Sequence, residues 1–248
     1  MFGVASALAI SSAAQAVTFA DYSATSSDPN ISWTQSTNLT SGALSTTGVG
    51  ASANTYFSFL TPALSSLSDL QALFALTATA PAVDPAQTGF GQIAQQDLSG
   101  SFSFVYTGSA PLVVGTHTYV TGADLLTGTF TGAEIIGPNC GSTGSVEDAI
   151  FSGGTVTLTS DIVKFSPVGD KALSVELTSV LPFLGANAGG SLGSFTAVST
   201  GSFASDIAAG GGGGGVPEPV TWAMMLLGFG GIGMAARRAR RRSAAALA

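Results

Sequence analysis

The sequence predicts an all-β fold: an antiparallel, β-sandwich-like body followed by a single C-terminal transmembrane helix. Three observations carry this. Short runs alternate apolar and polar residues, as where Phe102, Phe104 and Tyr106 interleave with Ser101, Ser103 and Val105. A period of two buries one face of a strand and leaves the other wet. Glycine-rich turns separate these runs without a regular series of helices between them, which favours antiparallel pairing. Near the end, residues 220–236 form an uncharged apolar run that closes on a cluster of arginines.

Taken in order, residues 1–16 are apolar and end in Ala14-Gln15-Ala16, a small-x-small cleavage pattern that reads as a signal peptide. No Lys or Arg precedes the apolar stretch, which points to a translation start further upstream. The body is expected over residues 17–205. Val17-Thr18-Phe19 opens it, and Ile31-Ser32-Trp33 follows an Asp-Pro-Asn turn. Thr55, Phe57 and Phe59 alternate with Tyr56 and Ser58, and Leu173, Val175 and Leu177 with Ser174, Glu176 and Thr178. Over residues 155–165, Val156 and Leu158 share one parity while Val163 and Phe165 take the other, so a turn or bulge is expected near Ser160-Asp161. A weaker strand centres on Phe195 within residues 192–198.

Two stretches admit more than one reading. Leu64, Leu67, Leu70 and Leu73 recur three apart, the spacing of a helix capped by Ser65 or Ser66, but a strand over residues 71–79 fits as well. Gly122, Gly128 and Gly132 each follow Thr, a loose repeat hinting at stacked turns, although it is too short for a solenoid.

Composition narrows the function. Charged residues make up only 8% of the 248, against about 25% in ordinary soluble domains. Of the basic residues only Lys164 and Lys171 lie ahead of the tail, so the body is more acidic than the whole-chain net charge of −7. Such a surface argues against nucleic-acid binding, which needs basic contacts to phosphate. With one cysteine, Cys140, no internal disulfide can form.

Catalytic raw material is scarce. His117 is the only histidine and sits in a strand-like run, and no Gly-x-Ser-x-Gly elbow accompanies it. A Cys140–His117 pair is arithmetically available without a motif to support it. Zinc needs more nitrogen and sulfur ligands than this chain has. Calcium needs only oxygens, and Glu147-Asp148, Asp124 with Glu134, and Asp161 with Asp170 are the candidates, none with loop-site spacing. The expectation is no catalytic residue, no metal and no cofactor. Asn38-Leu39-Thr40 is a sequon by pattern alone. Threonines at 155, 157 and 159 form a Thr-x-Thr ladder, and Trp33 is the only tryptophan ahead of the tail.

Residues 206–215 read as a linker whose six consecutive glycines cannot pack a core and span about 13 Å as a random coil. The tail, residues 216–242, has three parts. Pro217-Glu218-Pro219 comes first, then the apolar run 220–236, then Arg237, Arg238, Arg240, Arg241 and Arg242. At about 1.5 Å per residue the run reaches the short end of a bilayer span. Trp222 suits the headgroup level, and the arginines belong on the cytoplasmic side, which places the body outside.

This tail resembles the PEP-CTERM sorting signal of Gram-negative bacteria in its PEPxxWA variety. The matching residues are Pro217, Glu218, Pro219, Trp222 and Ala223, the apolar run and the arginines. Tails of this kind are also labelled ice-binding protein C-terminal domains. The resemblance implies a partner enzyme, an exosortase, that recognises Pro217-Glu218-Pro219, removes the helix and arginines, and releases or re-attaches the body. It implies a precursor in the inner membrane, then a place at the cell surface or in the extracellular matrix, and an association with exopolysaccharide. The body is expected to be structural rather than enzymatic. The alternative is a carbohydrate- or ice-binding module.

Overall fold

The computed structural model describes residues 16–48, 52–81, 85–148, 154–167, 169–186 and 190–206. The expected signal peptide up to residue 15, the linker from 207 and the whole sorting tail lie outside the described residues. Among the described residues no helix is long and apolar enough to cross a membrane. The expected span 220–236 is not among them.

The described chain is built from antiparallel strands. They are β1 (Val17–Ala24), β2 (Ile31–Gln35), β3 (Gly42–Thr46), β4 (Ala53–Phe59), β5 (Leu70–Ala80), β6 (Gln87–Gly89) and β7 (Gln92–Tyr106). They continue as β8 (Leu112–Val114), β9 (His117–Tyr119), β10 (Asp124–Pro138), β11 (Gly144–Asp148), β12 (Thr155–Thr159), β13 (Lys171–Leu181) and β14 (Phe195–Ser205). The all-β, antiparallel expectation holds. The sheet, however, pairs round on itself where a sandwich would leave two sheets with free edges.

Successive pairings run β1, β4, β5, β7, β10, β11, β13, β14 and back to β1, a closed ring of eight. The wall between β14 and β5 is double. Residues 201–205 of β14 pair with β1 and residues 195–197 with β2, while β5 takes β4 along residues 70–74 and β3 along 77–80. The tiles β1/β4 and β2/β3 therefore lie one above the other in the same wall. On the far side β12 and β11 share the outer edge of β10 in the same way.

Closure needs strongly bent strands, and the longest pair bends by matched bulges. Between Phe130 and Ala133 β10 gains one residue over β7, and between Ala133 and Ile135 β7 gains one back. Each bulge holds a left-handed residue: Gly132 at φ 67° and Asp97 at φ 58°. Glycine takes that conformation freely and aspartate tolerates it. After the bulges the buried parity of both strands has switched, from Ile93 to Leu98, Phe102 and Phe104 on β7, and from Phe130 to Ala133 and Ile135 on β10. Extra residues of this kind bend and twist a strand toward closure.

The interior is apolar and filled. Phe102 of β7 stacks on Phe203 of β14 with ring centroids 5.0 Å apart, although the two strands lie on opposite sides of the ring. Phe104 touches Tyr22, Phe57, Phe74 and Phe203 at 4.6–5.6 Å. An eight-stranded ring is just wide enough for side chains to fill. The outer face carries hydroxyls instead. This is the reverse of a membrane-spanning barrel, which turns an apolar band outward.

The leucines at 64, 67, 70 and 73 do not make a helix. A single 3-10 turn spans Pro62–Leu64, and β5 starts at Leu70. Leu70, Ala72, Phe74, Leu76, Ala78 and Ala80 are all buried at period two, and this outweighs the three-residue leucine spacing. Gly128 and Gly132 of the glycine repeat lie in β10 and Gly122 in the turn before it, so the repeat marks a turn and one long strand and no solenoid. The break expected near Ser160 is present: β12 ends at Thr159, and the Ser160 hydroxyl accepts from the backbone N–H of Ile162 and Val163.

Trp33 is fully buried, its indole N–H donating to the Leu192 carbonyl at 2.9 Å. Its ring covers Gly42, where a Cβ would overlap the indole. The segment around Ser191–Leu192 is held further by Gln35, Gln95 and the Leu39 carbonyl.

Candidate functional site: the C-terminal exit and the outer wall

Val17, Lys171 and Ser205 lie side by side, since Ser205 is in register with both of the others. The chain leaves the body at Asp206, from the middle of a paired wall, and its carbonyl accepts the Ser166 N–H at 3.0 Å. From there begins the tail that carries Pro217, Glu218, Pro219, Trp222, Ala223, Arg237, Arg238, Arg240, Arg241 and Arg242. These residues lie outside the described ones.

Within the body, the residues that could do chemistry are dispersed. His117 is exposed on the small β8/β9 hairpin, its ring centroid 6.4 Å from that of Tyr119. That hairpin precedes the start of β10, and Cys140 follows its end. The fifteen-residue length of β10 separates them, a contour of roughly 45 Å at about 3.3 Å per residue. The fold does not bring the Cys140–His117 pair together. Cys140 is exposed in a turn at φ 61°, its N–H donating to the Leu184 carbonyl at 2.7 Å.

The carboxylates sort differently from the sequence pairs. Asp124 meets Asp161: the Asp124 N–H donates to Asp161 Oδ2 at 2.8 Å, and the Asp161 N–H to the Asp124 carbonyl at 3.0 Å. Burial raises the Asp124 pKa. The Thr127 hydroxyl bonded to its Oδ1 opposes that, and the Asp161 charge adds to it. Glu134 lies cross-strand from Glu147, whose Oε1 accepts from Ser145 at 2.8 Å. Glu147 lines a shallow outer groove of about 580 Å³ together with Ser174 and Glu176, and Glu134 is not part of that lining. Among the described residues no three His, Cys, Asp or Glu are arranged to hold a metal ion.

Two further arrangements were not visible in the sequence. The buried Tyr22 hydroxyl donates to Ser199 Oγ at 3.2 Å, and Asn30 Oδ1 accepts the Ser199 N–H at 2.7 Å. Burial pushes the Tyr22 phenol well above the ordinary tyrosine range, so it stays a donor. The second is a row of hydroxyls on the outer wall. Thr157, Thr129, Ser101, Thr77, Ser45, Ser32 and Thr196 stand in register across successive strands. Thr129 and Thr157 are hydrogen-bonded at 2.6 Å, and Thr131 and Thr155 at 2.9 Å in the next row. Its sequence traces are the alternating threonines at 155, 157 and 159 and those at 127, 129 and 131, which the register sets side by side.

The body is thus a closed β module in which His117 and Cys140 lie apart, and its C-terminal strand leads into a separate signal. Residues 215–242 match the PEP-CTERM protein-sorting motif. The chain carries that motif, which is consistent with an exosortase substrate and implies sorting to the cell surface or beyond. No curated protein and no solved structure matches the chain.

Proposed function

We propose that this chain is an exported structural protein of the cell surface or extracellular matrix, without enzymatic activity and associated with exopolysaccharide. In this reading a precursor sits in the inner membrane through residues 220–236, arginines inside and body outside. An exosortase then acts at Pro217-Glu218-Pro219. The observation that carries the proposal is the sorting motif itself, placed behind a glycine linker. The aromatic interior and the separation of His117 from Cys140 support a structural body. The test is the intact mass of the mature protein from membrane and medium fractions of its host. A species ending near residues 217–219 outside the cell is expected, and Glu218→Ala should retain the uncut form. An uncut wild-type chain ending at Ala248 in the membrane would overturn the proposal.

One observation favours a second reading, binding of a neutral polysaccharide by the hydroxyl row. The row follows a curved, closed wall, which suits a flexible glycan better than the flat face of ice. Trp33 is buried and offers no stacking platform.

A further inference from the structure

We infer that β14 is a mechanical clamp, which makes the body resist load entering through its C-terminus. This rests on the reading above only in taking the C-terminus as the point of attachment.

The geometry is specific. β14 is bonded along both edges. On one it pairs with β13, from Lys171–Ser205 to Leu181–Thr196. On the other it pairs with β1 near Ser205 and with β2 near Phe195. Its side chains are locked as well: Phe203 packs on Phe102, Phe104 and Tyr22 in the interior. The linker continues from the Ser205 end. A pull on the linker away from the body is directed along β14, against neighbours held from the other end of the sheet. The ladder bonds on both edges are then loaded in shear, and many must give way together. No other terminus gives this protection. Val17 lies beside Ser205 on the adjacent antiparallel strand, so a pull between those two ends peels β1 from β14 one bond at a time.

The far end of the sheet supplies its own handle. Cys140 is exposed there, beyond the end of β10, and its turn is tied by hydrogen bonds to Leu184 just past β13. Load applied between the linker and Cys140 therefore crosses β14 and β13 lengthwise.

The experiment is single-molecule pulling of the detergent-solubilised full chain, held by a tag after Ala248. In one series the second handle is attached at Cys140. In the other it is attached at position 17 in the double variant Val17→Cys, Cys140→Ser. Both sites are exposed, and matched melting temperatures establish that the two forms fold alike. Forced unfolding reads the barrier in the pulling direction. The body should rupture at roughly threefold higher force through Cys140 than through position 17, because its ladder bonds share one barrier there and break in sequence in the other case. Equal forces in the two directions, or a lower force through Cys140, would overturn the clamp. Either result is independent of whether the host cuts the tail, so failure here leaves the sorting proposal to its own mass measurement.

Discussion

Asp21 and Asp124 are half-withdrawn carboxyls in a body with few cations. Burial raises the Asp21 pKa, the charge of Asp69 adds to it, and a hydrogen bond from Ser58 opposes it. Asp124 is raised chiefly by burial as well. A carboxyl whose folded pKa exceeds its unfolded value of about 3.9 takes up its proton first in the folded state. Stability then rises as pH falls from above the folded pKa toward the unfolded one, and is lowest where both groups are charged. We expect wild-type Tm to be higher near pH 4.5 than at pH 7. Asp21→Asn and Asp124→Asn should each raise Tm at pH 7 by roughly 1–3 °C, with solvent screening keeping the effect small. A thermal-melt series over pH checks this, and Asn variants that melt lower at pH 7 would refute it.

At the scale of elements, the aromatic cluster joins strands that are distant in sequence. Phe104 on β7 touches residues from β1, β4, β5 and β14, and is fully buried. Phe104→Ala should cost about 3–5 kcal/mol through lost transfer energy and a residual cavity. Chemical denaturation of the full chain measures it, and a loss below about 1 kcal/mol would mean that the cluster repacks. The alternation of Phe102, Phe104 and Tyr106 was legible in the sequence because it reports local geometry. So was the break at Ser160, since a change of parity can only come from a turn or a bulge. The bulges at Asp97 and Gly132 were not legible. Each adds one residue to a strand whose partner is far away in sequence, so the register shift exists only once the pair has formed. The leucines at 64, 67, 70 and 73 left helix and strand both open for a related reason: a spacing of three fits a helix, and the choice of the strand was made by neighbours β4, β3 and β7.

For the whole molecule, period-two patterning defines which face is buried and is silent on whether a sheet ends or closes. Closure depends on β14 meeting β1, a pairing between Val17 and Ser205 at the two ends of the body. The same limit hid the Asp124–Asp161 contact and the seven-strand hydroxyl row, which are products of register. The sorting motif was fully legible because it is a contiguous run, residues 215–242, whose pattern needs no partner strand to appear.

The pairing of first strand with last also fixes an order of events during export. A chain delivered from its N-terminus presents β1 long before its partner exists. Until β14 has emerged, β1 and β13 each keep an unsatisfied edge, and such edges invite pairing with other chains. The tail's apolar run follows β14 by only the stretch 206–219, which at about 3.3 Å per residue extends roughly 46 Å. In the proposed precursor that slack would let the last strand seat while the run behind it held the chain at the membrane. On that proposal, completion of the fold and arrival of the sorting signal would be nearly simultaneous, and a body cut loose at that signal would already have closed its last edge.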